Sequence, residues 1–97
     1  MKTILVALSH PDDEVGCAGT IALHAARGDR VVLLWLTRGG MTEALGRLPY
    51  EEVARLRTEH GEAAARLLGA EPRFMEFRDT RVEATADAAY EVARVVA

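Results

Sequence analysis

The chain has 97 residues, of which 49% are hydrophobic and 28% charged, and its net charge is −3. This length fits one small domain, and the composition is ordinary for a globular protein. The acidic balance and the lack of a basic run argue against a nucleic-acid partner. The single cysteine, Cys17, excludes an internal disulfide and any multi-cysteine zinc site. It fits a reducing compartment, so we expect a cytoplasmic location.

The first half of the chain predicts a strand, a helix, a strand and a loop. Residues 3–8, TILVAL, form an apolar run typical of a buried strand, too short for a signal sequence or a membrane span. Helical spacing over Val15–Arg27, closed by Gly28, predicts the first helix. Residues 30–36, RVVLLWL, predict a second buried strand. The glycine-rich residues 37–48 predict a loop.

The second half predicts a helix, a strand and a helix. The long helix runs over Pro49–Leu68 and is closed by Gly69, residues 73–77 form the third strand, and residues 83–97 form the last helix. The β-α-β-α-β-α order implies parallel strands, and so an α/β, Rossmann-like three-layer sandwich with a mainly parallel sheet. Three strands make a thin core and no strand follows the last helix. We therefore expect a truncated domain, or a sheet that something else completes.

Polar segments follow each predicted strand, at His10–Glu14, Thr37–Gly40 and Arg78–Thr80. In parallel α/β sheets, ligands bind beyond the carboxyl ends of the strands, so we expect these segments to meet at one edge. The segment GCAGT after the first strand is not a G-x-G-x-x-G motif, and no acid closes the second strand. A dinucleotide site is therefore not expected.

The run HPDDE at residues 10–14 is the strongest functional signal. Acids near a helix N-terminus are typical of capping, but capping requires neither a histidine nor two adjacent aspartates. His10 and Asp13 are three residues apart across a turn, so both can face one divalent metal ion through nitrogen and oxygen. Asp12 lies between them and diverges, so it can act as a general base beside the metal.

Helical wheels place the remaining candidates. Arg57 falls in the middle of the apolar face of the second helix, and burial without a partner would be costly, so we expect it to reach the strand-end edge and pair there. A structural ion pair and a substrate contact both stay open for it. The first wheel puts His24 opposite a face containing Val15, and we expect His24 to be solvated or lightly packed. His60 is expected to be packed and hydrogen-bonded rather than a ligand.

The motif HPDDE after an apolar strand, followed by GCAGT, resembles the LmbE-like, or PIG-L-like, family of zinc-dependent N-acetylglucosaminyl deacetylases. The segment RGDRVVLLWLTRGG is similar to the second strand and loop of the family. RTEHGEAAARLLGAE is similar to its arginine-containing helix, and FMEFRDTRV to its third strand and aspartate. These segments occur in the family's order over nearly the whole chain.

The resemblance implies a metal-dependent enzyme that hydrolyses the N-acetyl group of an N-acetylglucosamine-containing conjugate, a linear amide. It implies that His10 and Asp13 bind Zn²⁺, with another divalent metal left open, that Asp12 is the general base, and that Arg57 and Asp79 contact the substrate. A plain turn aspartate is the alternative reading of Asp79. The identity of the sugar conjugate and a homo-oligomeric state are left open.

The chain departs from the family pattern in one respect, because the family's third zinc ligand is a histidine beyond the third strand. We therefore expect residues 1–97 to be the N-terminal part of a single LmbE-like deacetylase domain. This segment can be inactive when it is separated from the rest of the domain. The alternative is a non-catalytic sugar-binding or interaction module with an incomplete metal site.

Overall fold

The computed structural model describes residues 1–96, which form alternating strands and helices. In chain order, the elements are β1 (Thr3–Leu8), a 3₁₀ turn (Asp13–Cys17), α1 (Ala18–Ala26), β2 (Arg30–Trp35), α2 (Tyr50–Leu68), β3 (Glu71–Phe74) and α3 (Ala86–Val96). The predicted order of strands and helices is confirmed. Among the helices of residues 1–96, none combines the length and the apolar character that crossing a bilayer requires.

The three strands form one parallel sheet with β2 in the centre. Leu8 lies opposite Trp35, which in turn lies opposite Phe74, so the strands end at a common edge. Parallel neighbours need a crossover connection, and α1 and α2 supply the two crossovers. The expected Rossmann-like α/β class with a mainly parallel sheet is confirmed.

The core lies between one face of the sheet and the pair of helices α1 and α2. Val31, Leu33 and Trp35, which alternate along β2, are at most 2% exposed. They cluster with Ile21 of α1 and Ala65 of α2. Alternate side chains of a strand point to the same face, so both helices cover that face. This packing fixes the position of α2 relative to the carboxyl edge of the sheet.

The first helix begins later than predicted. A 3₁₀ turn over Asp13–Cys17 comes first, and the α-helix is Ala18–Ala26. Val15 is 76% exposed whereas Ile21 is buried, so the wheel begun at Val15 chose the wrong face. A 3₁₀ turn advances about 120° per residue instead of about 100°, so the phase of the wheel changes where α1 begins.

The third strand and the last helix are shifted from the prediction. β3 is Glu71–Phe74 rather than residues 73–77, because proline is tolerated in an edge strand and Pro72 does not end the pairing. The last helix begins at Ala86 rather than at residue 83. It follows Thr85, whose hydroxyl accepts the N–H of Ala88 at 3.1 Å. Residue 97, the predicted end of this helix, lies outside the described residues.

Candidate active site

The loops after β1 and β2 are joined at the carboxyl edge of the sheet. Hydrogen bonding continues past the strand ends, since the N–H of Thr37 donates to the Ser9 carbonyl at 3.1 Å. The Thr37 hydroxyl is buried, donates to the same carbonyl at 3.0 Å and accepts the N–H of Gly39 at 3.2 Å. Thr37 therefore connects the residue after β1 to the loop after β2 by hydrogen bonds.

His10 and Asp13 face each other across one turn after β1. The backbone N–H of His10 donates to Asp13 Oδ2 at 2.9 Å, and the N–H of Asp13 donates to the His10 carbonyl at 3.2 Å. His10 Nδ1 lies 3.5 Å from Asp13 Oδ2, and their side chains are 42% and 37% exposed. The turn thus brings the two predicted metal ligands together at a position open to solvent.

Asp12 holds its carboxylate out of this turn. Its backbone is left-handed, with φ of 95°, and its N–H donates to Oε1 of the buried Glu14 at 3.1 Å. The side chain is 75% exposed and makes no capping hydrogen bond to the 3₁₀ turn. Aspartate tolerates this backbone conformation better than most residues, and such strain is found at functional sites. The carboxylate of Asp12 therefore does not cap the 3₁₀ turn, which was the alternative role for this acid.

Arg57 reaches this turn from α2. Its guanidinium donates from Nη2 to the Pro11 carbonyl and lies 3.5 Å from Asp12 Oδ2. The side chain is only 11% exposed. On its other side, a Cβ atom at Gly39 would lie 3.0 Å from Arg57 Cζ. The expected placement of Arg57, reaching from an apolar helix face to the edge of the sheet and pairing there, is confirmed.

Asp79 is buried, 5% exposed, at the centre of the edge. Its Oδ1 lies 2.9 Å from His10 Nε2, and its Oδ2 accepts the N–H of Met41 at 3.0 Å. Its own N–H donates to the hydroxyl of Tyr50 at 2.9 Å. Asp79 therefore connects the turn after β1, the loop after β2 and the start of α2. A direct contact of Asp79 with a sugar stays a prediction.

The other two histidines are not part of this group. His24 Nδ1 lies 3.0 Å from Asp29 Oδ2, so His24 is lightly packed, as expected, and paired with a carboxylate. His60 is exposed, and the prediction of a packed, hydrogen-bonded His60 is wrong. The adjacent residue Gly61 takes the buried position against Phe74, which leaves His60 on the wall of a cavity that Asp12 and Arg57 also line.

Two supporting residues were not predicted from the sequence. The hydroxyl of Tyr50 accepts the backbone N–H of Asp79. The carboxylate of Glu14 accepts the backbone N–H of Asp12. The only sequence signal for Glu14 was its place in the acidic run, and Tyr50 carried none beyond the apolar face of its helix. Contacts between distant segments leave no local pattern.

An imidazole nitrogen and a carboxylate oxygen are donors that fit a divalent metal ion such as zinc. Zinc binds such atoms at about 2.0–2.2 Å, so two ligands of one tetrahedral ion are about 3.3–3.6 Å apart. The 3.5 Å between His10 Nδ1 and Asp13 Oδ2 agrees with that separation. Residues 1–96 contain no group of three or more His, Cys, Asp or Glu side chains placed to hold a metal ion. The pair therefore fits two positions of a metal site.

The fold and the site define the class: an α/β protein with a Rossmann-like parallel sheet and a histidine, two adjacent aspartates and an arginine at its carboxyl edge. Residues 5–97 match the family PIG-L, described as GlcNAc-PI de-N-acetylase, and the chain belongs to this family.

Several similar proteins have names that state an activity, and three of them follow. Over 87 residues the chain is 34% identical to "Probable N-acetyl-alpha-D-glucosaminyl L-malate deacetylase 2" of Bacillus anthracis, a match that covers 84% of this chain and 38% of that protein. The N,N'-diacetylchitobiose deacetylase of Pyrococcus horikoshii is similar in structure, with a TM-score of 0.89, 29% identity and coverage of 98% and 36%. GalB, the 4-carboxy-2-hydroxymuconate hydratase of Pseudomonas putida, has a TM-score of 0.87, 33% identity and coverage of 98% and 42%. The chain thus spans about two fifths of each relative.

Proposed function

We propose that this chain supplies the metal-binding turn and the general base of a metal-dependent deacetylase, which hydrolyses the N-acetyl group of a small N-acetylglucosamine-containing conjugate. The observation that carries the proposal is the turn after β1, in which His10 Nδ1 and Asp13 Oδ2 lie 3.5 Å apart and the exposed carboxylate of Asp12 lies 3.5 Å from the guanidinium of Arg57. Membership of the PIG-L family and the two deacetylase relatives support the same reaction.

His10 and Asp13 would hold the metal, Zn²⁺ or another divalent ion. The chemistry that such an ion supplies is polarisation of the amide carbonyl and a fall in the pKa of water to about 7. Catalytic zinc sites have three protein ligands, so the proposal needs one more ligand from outside the described residues. We accordingly expect residues 1–97 alone to bind zinc weakly. A cytoplasmic location also stays a prediction.

Asp12 would be the general base. Its exposed carboxylate takes a proton from the attacking water as the water oxygen bonds to the acetamide carbon. The C–N bond then breaks, the proton passes to the leaving amine, and the products are acetate and a free amino sugar. Arg57, held against the Pro11 carbonyl beside Asp12, would donate hydrogen bonds to a sugar hydroxyl or to another acceptor of the substrate.

The variant Asp12→Asn in the intact protein tests this assignment. General acid–base catalysis contributes about 10²- to 10⁴-fold, so we expect the rate of acetate release from an N-acetylglucosaminyl malate conjugate to fall by that factor. Zinc content by equilibrium dialysis should stay at the wild-type value, because the amide removes the base and leaves both metal ligands. His10→Ala is the comparison variant and should lose metal and activity together. Equal rates of acetate release for Asp12→Asn and wild type would refute the role of Asp12.

A second candidate reaction is hydration of a carboxylated substrate, which the likeness to the hydratase GalB favours. The same intact protein would be incubated with 4-carboxy-2-hydroxymuconate and the loss of its absorbance followed. Hydration without acetate release would replace the deacetylase proposal. If neither reaction occurs in the presence of zinc, with other N-acetylglucosamine conjugates also tested, the alternative of a non-catalytic sugar-binding or interaction module is favoured.

A further inference from the structure

We propose that Asp79 is a positioning residue that acts through His10: it holds the imidazole as the Nε2–H tautomer, so that the lone pair of Nδ1 faces Asp13 and the metal position. The inference deepens the proposed function and rests on it for the identity of His10 as a ligand. It differs from the sequence-based prediction, in which Asp79 contacts the substrate directly.

The hydrogen bonds of Asp79 point to this role. Each carboxylate oxygen already has a protein partner, His10 Nε2 for Oδ1 and the N–H of Met41 for Oδ2. The residue is 5% exposed, and the Tyr50 hydroxyl holds its backbone N–H from behind. A sugar would therefore have to approach a buried group whose two oxygens are both engaged.

The contact with Asp79 favours a hydrogen on Nε2 of His10. A carboxylate oxygen accepts hydrogen bonds and does not donate them, so at 2.9 Å the hydrogen lies on Nε2. In the neutral imidazole with a hydrogen on Nε2, Nδ1 carries the lone pair and lies 3.5 Å from Asp13 Oδ2. Histidines that bind metals commonly donate their other ring N–H to a carboxylate, and loss of that partner typically costs 10- to 100-fold in metal affinity.

The variant Asp79→Asn should reverse the tautomer. The N–H of Met41 can only donate, so the amide oxygen of residue 79 stays with Met41. The amide NH₂ then faces His10 Nε2, which must accept, and the ring hydrogen moves to Nδ1. Long-range ¹H–¹⁵N spectra of the metal-free protein, at a pH where the imidazole is neutral, report this tautomer directly. We expect Nε2–H in wild type, Nδ1–H in Asp79→Asn, and zinc affinity 10- to 100-fold lower in the variant.

Asp29 offers a matched control within the same chain. Its Oδ1 accepts the N–H of Lys2 at 2.9 Å and its Oδ2 lies 3.0 Å from His24 Nδ1, so it too joins a histidine to a backbone N–H. Asp29→Asn should alter the ¹⁵N signals of His24 and leave those of His10 and the zinc affinity unchanged. A loss of zinc affinity in both variants would indicate a general loss of stability and would overturn the specific role of Asp79.

The outcomes separate this inference from the proposed function. Zinc affinity and a His10 tautomer that are unchanged in Asp79→Asn would overturn the positioning role and leave the deacetylase proposal standing. If wild type binds no zinc, the metal site fails, yet the tautomer of His10 still decides whether Asp79 orients the ring. If Asp79→Asn does not fold, the wild-type spectrum alone is decisive, because an Nδ1–H tautomer of His10 would refute the inference.

Discussion

Gly39, in the loop after β2, packs closely against Arg57 at the carboxyl edge of the sheet. Its φ is +68°, and an added Cβ would lie 3.0 Å from Arg57 Cζ. The guanidinium of Arg57 in turn contacts the Pro11 carbonyl and approaches the carboxylate of Asp12. The loop after β2 therefore needs a residue without a side chain, both for its backbone conformation and for the space that Arg57 takes.

Gly39→Ala and Gly28→Ala separate these two requirements. Both glycines have positive φ, but a Cβ at Gly28 meets nothing within 4 Å. Each substitution should cost about 1–2 kcal/mol in the free energy of unfolding, since a left-handed backbone is unfavourable for alanine. Only Gly39→Ala should also displace Arg57, and it should raise KM or lower kcat in the deacetylase assay. If the two variants have the same activity, the close packing of Arg57 on this loop is not functionally important.

At the scale of elements, α2 connects the core to the site. Gly61 lets the helix lie close to the sheet, where a Cβ would be 3.1 Å from Phe74 Cζ and 3.4 Å from the ring of Trp35. These two rings are stacked with their centroids 4.8 Å apart, so Phe74 has little room to move. One turn earlier, the same helix carries Arg57 to the edge. Helix packing and the position of the guanidinium are therefore coupled.

Gly61→Ala should destabilise the protein although alanine is the better helix former. The gain in helix propensity is at most about 1 kcal/mol, whereas overpacking a tight core costs about 1–3 kcal/mol. Gly19→Ala in α1 is the control, because a Cβ there meets nothing within 4 Å, and it should be neutral or stabilising. Urea unfolding of both variants measures the difference. A Gly61→Ala protein more stable than wild type would show that α2 can move off the sheet at no cost.

At the scale of the whole molecule, the carboxyl and amino edges of the sheet carry different kinds of contacts. The carboxyl edge carries the candidate site, and the amino edge carries ion pairs between neighbouring segments. There Arg30 donates two hydrogen bonds of 2.9 Å to Glu71, joining β2 to β3. Asp29 joins the end of α1 to the N–H of Lys2 before β1. The amino edge therefore joins neighbouring segments of the chain and takes no part in the site.

Acid should weaken the contacts at the amino edge. The hydrogen bond from His24, followed by that from the Lys2 N–H, lowers the pKa of Asp29 from its ordinary value of 3.8. A group whose pKa is lower in the folded state stabilises it above the unfolded pKa, and this contribution is lost as the pH falls through the folded pKa. Wild type should therefore be more stable than Asp29→Asn at pH 5, with the difference shrinking below pH 3.8. Urea unfolding of both proteins at pH 5 and at a pH below 3.8 measures the two differences in stability. A difference that is the same at the two pH values would contradict the prediction.

Sequence patterns predicted much of this protein because they act over short distances. The apolar runs and the helical spacing specify the order of elements, and a glycine with φ of +81° ends α2 at Gly69 as predicted. The turn that joins His10 to Asp13 is likewise contained in a few residues. The errors occur where local cues conflict with packing, as at Pro72 in an edge strand and at the 3₁₀ turn before α1.

The sequence by itself determined the parallel α/β class, the turn that pairs an imidazole with a carboxylate, and the reach of Arg57 to the edge of the sheet. Only the tertiary structure decided that Asp79 bonds His10, a contact between residues 69 positions apart. It also decided that Tyr50 holds Asp79 in place and that His60 stays outside the core. The physical reason is that turns and periodic faces depend on neighbouring residues, whereas these contacts exist only once three strands and their crossovers have packed together.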